Sequence, residues 1–299
     1  GMRRKGDAVD GVLLLDKPGG ITSNGALQAA RRMLNAAKAG HTGTLDPLAT
    51  GLLPLCFGEA TKFSGLLLNA SKTYLARIAF GVTTTTGDAD GQVLSRSDTS
   101  GLEPEKVATA LDGLVGTHEQ MPPMYSALKH EGRPLYEYAR AGQEVDRTPR
   151  TVHILAIEVL AADATHAEIR AVVSKGTYIR ALAEEAGRRL GCGAHLCALR
   201  RECVAGFHVG NATSLDLLGQ STPEERLARL LPADALLQEI PRIDLDERAS
   251  QAICRGQQVG IPGAPEGMVR LYAGPGGFIG VGRVDAAGVL APQRLVHTG

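Results

Sequence analysis

Two largely alternating runs near the middle of the chain, Thr151 to Leu160 and Ala167 to Val173, constrain the fold more than any other feature. Apolar and polar residues change places with the period of strands that bury one face, and the two runs read as paired strands. A helix from Tyr178 to Leu190 and a further strand near Leu196 to Val204 follow, and the core is expected to close there. Upstream, Gly11 to Leu15 reads as a short buried strand, and Thr22-Ser23-Asn24 supplies N-cap chemistry for a helix through Ala26 to Leu34. Gly51 to Phe57 and Lys72 to Phe80 read as strands around a helix near Glu59 to Leu68, with another helix at Glu103 to Leu114. Strands and helices mix without the strict alternation of a parallel sheet, so the expected class is α+β on a mixed sheet.

Two further segments stand apart. Residues 121–149 carry four prolines, several aromatics and mixed charge, with one short helical patch around Leu135 to Arg140, and read as an excursion from the core. Beyond a polar stretch at 208–242, Gly/Pro punctuation and short strands at Met268 to Tyr272 and Phe278 to Val284 read as a small β-rich module. The expected division is 1–240 and 241–299.

Composition excludes several classes. Apolar residues make up 43 % of the chain and charged residues 21 %, enough for a packed core, yet the apolar runs are far shorter than a bilayer span. A chain without a membrane segment or signal peptide is expected, and cytoplasm is the expected location. Five cysteines form no C-x-x-C pair, so reduced thiols are expected and neither disulfides nor a metal. Lys plus Arg equals Asp plus Glu at 32 each, but the charge is segregated: residues 1–40 hold seven basic and three acidic side chains, and 85–120 hold two basic and seven acidic. A basic face on a neutral protein is therefore allowed, which is compatible with a nucleic-acid partner. The sequence contains no G-x-G-x-x-G, no phosphate-binding G-x-x-x-x-G-K-[ST], no H-E-x-x-H and no G-x-S-x-G. Dinucleotide, nucleotide-fuelled, zinc-protease and serine-hydrolase readings thus lose their support, and no cofactor is expected.

The most informative loop is GHTGTLDPLATGLLP, Gly40 to Pro54. Its glycines allow close backbone approach, and Pro47 restricts Asp46 to extended conformations, so the carboxylate is held out on a stiff turn. By itself an Asp-Pro in a glycine-rich loop is more often a turn than a catalytic group.

KPGGITSN (Lys17 to Asn24), GHTGTLDPLATG (Gly40 to Gly51), GEATKF (Gly58 to Phe63), KTY (Lys72 to Tyr74), GDADG (Gly87 to Gly91), PMYSALK (Pro123 to Lys129), LYEYAR (Leu135 to Arg140), SKGTYIR (Ser174 to Arg180) and LGCGAHL (Leu190 to Leu196) together resemble TruB-type pseudouridine synthases in order and spacing. The likeness continues more loosely into GMVRL and APQRLV of the tail, which resemble the family's PUA-like RNA-binding module. This resemblance implies a pseudouridine synthase core at 1–240, an RNA-gripping insertion near 121–149, and a PUA-like module at 241–299. The implied activity is isomerisation of uridine 55 in the T-loop of tRNA, by a monomer that grips the tRNA elbow and needs no protein partner. Two alternatives remain: a module that chiefly refolds the tRNA elbow, and a synthase for another RNA.

The resemblance also assigns residues. Asp46 maps onto the family's catalytic aspartate, Tyr74 onto the tyrosine that stacks on the target base, and Tyr178 and Arg180 onto a Y-x-R whose arginine pairs with that aspartate and keeps it ionised. His41 resembles a histidine that fills the space of displaced bases, and Leu199 an apolar pocket residue. Asp88 and Arg140 map onto an Asp–Arg network around the site. One departure is visible: GVTTTT, Gly81 to Thr86, lacks a charged residue expected of the family there.

Overall fold

The computed structural model describes residues 6–124, 129–143, 145–274 and 277–297. Among them, ten strands build one mixed sheet. Its main path runs Thr213–Ser214, Gly11–Lys17, Thr50–Phe57, Ala194–Val204, Lys72–Phe80, His166–Val173, Arg150–Ala162 and Gly116–Gln120. The expected pair is present, and it is antiparallel: Arg150–Ala162 lies beside His166–Val173, and the latter pairs with the central strand Lys72–Phe80.

Burial follows the two-residue period of each strand. On Gly11–Lys17, Leu13 and Leu15 enter one apolar cluster while Val12 and Leu14 enter another on the opposite face. Thr50–Phe57 divides likewise, with Leu53, Leu55 and Phe57 on one side and Leu52 and Cys56 on the other. Burial on both faces explains why these stretches are continuous apolar runs. Arg150–Ala162, by contrast, keeps Val152 and Ile154 buried and turns its alternate side chains to solvent.

The Ile179–Leu190 helix lays Ile179, Leu182, Ala183 and Ala186 on the sheet, the spacing of one helical face. Gly187 is required there, because a Cβ would overlap the backbone at Ala194. The strands Thr50–Phe57 and Ala194–Val204 join in parallel through only Arg200↔Thr50 and Arg201↔Gly51. At this seam Gly51 has φ 110°, and a Cβ would collide with the Arg201 carbonyl oxygen.

Several expectations are corrected. The core does not close at Val204: Thr213–Ser214 pairs in parallel with Leu15 and Asp16, Val12 and Leu231 exchange backbone hydrogen bonds at 2.8 Å, and Leu218 is fully buried in the main cluster. Two-residue strands carry no periodicity to read. The helix expected near Glu59 to Leu68 is a 3-10 turn, Gly58–Phe63, followed by a short helix, Gly65–Leu68, because Gly58 takes φ 56° and Ser64–Gly65 interrupts the run.

The tail forms a second, five-stranded sheet in the order Arg242–Leu245, Gly267–Ala273, Phe278–Val284, Val289–Leu295 and Val259–Gly260. It has its own cluster, with Ile253, Val269, Leu271 and Leu290 fully buried, covered by the Glu247–Cys254 helix that Asp246 caps through the Ala249 N–H at 2.7 Å. A fourth, smaller cluster joins it to the large sheet: Phe63, Leu237 and Val281 are buried together, and the Phe63 and Phe278 rings meet edge to face at 5.6 Å. Within 121–149, the described residues form a hairpin, Lys129–His130 with Arg133–Pro134, and the Leu135–Arg140 helix, joined by a Tyr138 hydroxyl donating to the His130 carbonyl at 2.8 Å. Residues 125–128 of PMYSALK lie outside the described residues. No helix among the described residues is long and apolar enough to cross a membrane.

Candidate active site

A pocket of about 280 Å³ opens beside the center of the large sheet, and Asp46, Tyr74, Tyr178, Arg180 and Leu199 all line it. Strand geometry supplies one wall. Tyr74 lies opposite Arg201, and Leu199 opposite Ala76, in the antiparallel pair Lys72–Phe80 with Ala194–Val204. Residues two apart on a strand share a face, so Lys72 and Tyr74 from one strand and Leu199 and Arg201 from the other make a single patch, and all four line the pocket.

The loop bearing Asp46 is fixed from behind. The Ser23 hydroxyl donates to the Leu45 carbonyl at 3.0 Å and accepts from the Leu45 N–H at 2.9 Å. The Gly20 N–H donates to the Pro47 carbonyl at 2.8 Å, and the Ala49 N–H closes a turn on the Asp46 carbonyl at 2.9 Å. Fully buried Lys17 donates to the Ile21 carbonyl at 2.7 Å and to the Pro47 carbonyl at 3.4 Å. The KPGGITSN segment is therefore the anvil against which the Asp46 turn is set.

Arg180 Nε stands 3.1 Å from Asp46 Oδ2, with its side chain only 4 % exposed against 34 % for Asp46. Its Nη1 also donates to the Thr86 carbonyl at 3.2 Å. Arg180 occupies the first turn of the Ile179–Leu190 helix, where the helix dipole disfavors a cation, so the Asp46 carboxylate offsets an otherwise adverse position. Burial nevertheless dominates the titration of Asp46, and its pKa is raised; Arg180 and Lys17 pull it down, while Asp88 and Asp90 push it further up. Arg180 favors the charged form of Asp46, as expected of the pair, and opposes the desolvation without cancelling it.

Tyr178 precedes the helix, and its backbone is held by Gln120, whose Oε1 accepts from the Tyr178 N–H at 3.0 Å and whose Nε2 donates to the Tyr178 carbonyl at 3.3 Å. Asp88 lies behind the pocket, 4 % exposed, its Oδ1 accepting from the Thr86 hydroxyl at 2.6 Å and the Asp90 N–H at 3.0 Å. Thr84 also donates to the Asp88 carbonyl at 2.6 Å, so the GVTTTT stretch fixes this aspartate with hydroxyls where a charge was expected.

His41 lies on the short strand Ala39–His41 and is not among the pocket-lining residues; its buried Nδ1 has no hydrogen-bond partner among the described residues, and burial together with nearby Arg201 lowers its pKa. Arg140 is exposed on the Leu135–Arg140 helix with its guanidinium 4.9 Å from the Tyr136 ring center. Among the described residues no ion pair joins Arg140 to Asp46 or Asp88, so its expected place in an Asp–Arg network is not seen in this conformation. Sequence reading missed Lys17, Ser23, Lys72, Gln120 and Arg201. For Lys72 and Arg201 the signal was present, since each stands two residues along a strand from an assigned pocket residue.

The arrangement offers a positioned carboxylate, an arginine that fixes it, and a slot walled by two tyrosines and a leucine, suited to a flat unstacked ring. The TruB family pseudouridylate synthase N-terminal domain matches residues 31–179, and the TruB C-terminal domain matches residues 241–296. The tRNA pseudouridine synthase B of Aromatoleum aromaticum is 51 % identical, covering 97 % of this chain and 94 % of that protein. That of Dechloromonas aromatica is 53 % identical, covering 99 % and 98 %. Among solved structures, one of a Cbf5–Nop10–Gar1 complex aligns with a TM-score of 0.71 at 25 % identity, covering 97 % of this chain and 84 % of that one.

Proposed function

Since the chain belongs to the TruB family of pseudouridylate synthases, we propose that it converts uridine 55 in the T-loop of tRNA to pseudouridine, with Asp46 as the catalytic carboxylate. The observation that carries this reading is the Asp46–Arg180 contact inside a pocket that also presents Tyr74, Tyr178 and Leu199.

Uridine and pseudouridine are isomers. The bond from N1 to the ribose C1′ breaks, the base turns, C5 bonds to C1′, and the proton lost from C5 is balanced by one gained at N1. Atoms and electrons balance within the substrate. The protein must therefore take the base out of its stack, hold it once detached, and offer a group that can attack or remove a proton. Asp46 is that group. Its partial burial, which raises the pKa, also strips water from the carboxylate. Arg180 fixes the direction of the carboxylate, and the Tyr74 ring offers a stacking face for the uracil. Leu199 closes the apolar side, and Tyr178, clamped through Gln120, bounds the base from the helix end.

His41, near Arg201, is assigned a wedging role among displaced bases, with Asp88 as a supporting group. Arg140 would join this network only if the 121–149 segment moves when RNA binds. The division at residue 240 gives the tail the role of a PUA-like RNA-binding module, which the match at 241–296 supports. The convergence of five assigned groups in one chain supports a monomer as the working unit, and cytoplasm is the location suited to a tRNA substrate. Incubating the protein with an unmodified tRNA transcript and mapping pseudouridine by chemical probing tests the proposal. Product at position 55 is expected. Product elsewhere, or in another RNA only, would replace this reading with that of a synthase for a different substrate.

A further inference from the structure

The patch that carries Tyr74 and Leu199 also carries two cations with no counter-ion among the described residues. Arg201 is 1 % exposed, its Nε donates to the Leu52 carbonyl at 2.8 Å, and its Nη2 is buried without a hydrogen-bond partner among the described residues. Lys72 is 7 % exposed and rests on the carbonyls of Leu67, Leu68 and Ala70 at 3.0–3.4 Å. The Gly43 backbone bends over both: a Cβ built there would sit 3.5 Å from Arg201 Nη1 and 3.5 Å from Lys72 Cε. Among the described residues no carboxylate forms an ion pair with either. Two buried like charges with an unused donor are costly to leave so, and their presence in a pocket wall points to an anion that arrives with the ligand.

We propose that Arg201, assisted by the charge of Lys72, forms a subsite for a phosphodiester group of the flipped target nucleotide. The inference rests on reading this pocket as the target-nucleotide site. Guanidinium donors match phosphate oxygens in geometry as well as charge, and such charge-assisted bonds are the strong ones. Their electrostatics agree. Burial, and after it the charge of Arg201, lowers the pKa of both Lys72, which lies at about 8, and His41. It is not among the groups that govern Asp46, which are Arg180, Asp88, Asp90 and Lys17. Arg201 stands opposite Tyr74 on the strand pair, so the two cations flank the ring proposed to stack on the base. Such a subsite lets the backbone, common to all nucleotides, supply binding energy that draws the base inward, while the carboxylate acts on the ring.

The test uses a T-arm stem-loop RNA in three forms: unmodified, and with a single uncharged methylphosphonate either 5′ or 3′ of the target uridine. Affinity and single-turnover rate are measured for the wild-type chain, Arg201→Gln and Arg201→Lys. One of the two neutral linkages is expected to weaken wild-type binding by about tenfold or more. It should weaken Arg201→Gln much less, and Arg201→Lys should recover part of the sensitivity. If neither linkage weakens wild-type binding, or if the loss is the same in Arg201→Gln, the subsite is refuted. Should Arg201→Gln fail to fold, Lys72→Gln takes its place and the same coupling is read. Failure of the wild-type chain to isomerise the unmodified RNA would instead refute the proposed function, so the two failures are distinguishable.

Discussion

The Ser23 hydroxyl satisfies both backbone groups of Leu45, accepting from its N–H at 2.9 Å and donating to its carbonyl at 3.0 Å, one residue ahead of Asp46. A side chain from the first turn of a helix thereby replaces the strand partner that Leu45 lacks. Ser23→Ala should leave both groups unsatisfied in a buried site and cost about 1–3 kcal/mol of stability. Turnover should fall with it while tRNA affinity changes little, since Ser23 is buried away from solvent. Thermal melting and single-turnover kinetics measure the two effects, and unchanged turnover in a destabilised Ser23→Ala chain would show that the Asp46 loop needs no such tether.

Asp46→Asn keeps the shape of the side chain and its place before Pro47, but an amide is neither an adequate nucleophile nor a base. Pseudouridine formation should vanish and tRNA binding persist, falling with added salt in wild type and variant alike. A folded, tRNA-binding Asp46→Asn chain with undiminished turnover would overturn the assignment of the catalytic group.

The direction of the Asp46 shift sets the pH dependence. On the proposed role the active form of Asp46 is the carboxylate, so the acid limb of the rate profile should lie above the ordinary value of 3.8. Asp88 pushes this pKa up, so Asp88→Asn should move the limb to lower pH. Stability runs the other way. Between the unfolded and folded pKa values the native chain holds a proton that the unfolded chain has released, so stability falls as pH rises through that window. Asp46→Asn lacks this slope, and melting curves across the acid range should separate the two chains with wild type losing ground as pH increases.

Tyr74 presents a ring from a strand wall, so Tyr74→Phe should retain far more activity than Tyr74→Leu, base stacking being worth about 1–3 kcal/mol. Comparable rates in the two variants would count against stacking. Tyr178→Phe removes only a hydroxyl; a loss confined to turnover would tie that hydroxyl to proton transfer at C5.

Much of this molecule was legible because its local rules agree. The pair Arg150–Ala162 and His166–Val173 and the helix over Ile179–Leu190 each follow one period over most of their length, and the run after Gly11 is apolar throughout because both its faces are buried. The order and spacing of motifs gave Asp46, Tyr74, Tyr178, Arg180 and Leu199, and the pocket gathers all five. What escaped were positions defined by partners far along the chain. Arg200 and Arg201 are adjacent and chemically alike, yet Arg200 pairs with Asp16 at the sheet surface while Arg201 turns inward, a distinction set by strand register. Val289–Leu295 escaped because Pro292 and two polar residues blur its alternation. Arg140 was carried over by motif alone, and a motif fixes a residue's type without fixing where its segment rests.

The parallel seam between Thr50–Phe57 and Ala194–Val204 joins the two halves of the sheet through two register pairs about 150 residues apart. Contacts of such separation close late, because the long loop between them must be ordered first. The strand with Asp46 at its entrance lies on one side of the seam, and the strands with Tyr74 and Leu199 on the other. Because the Asp46 loop and the Tyr74–Leu199 wall stand on opposite sides of it, the cavity that brings them together exists only where this seam is closed.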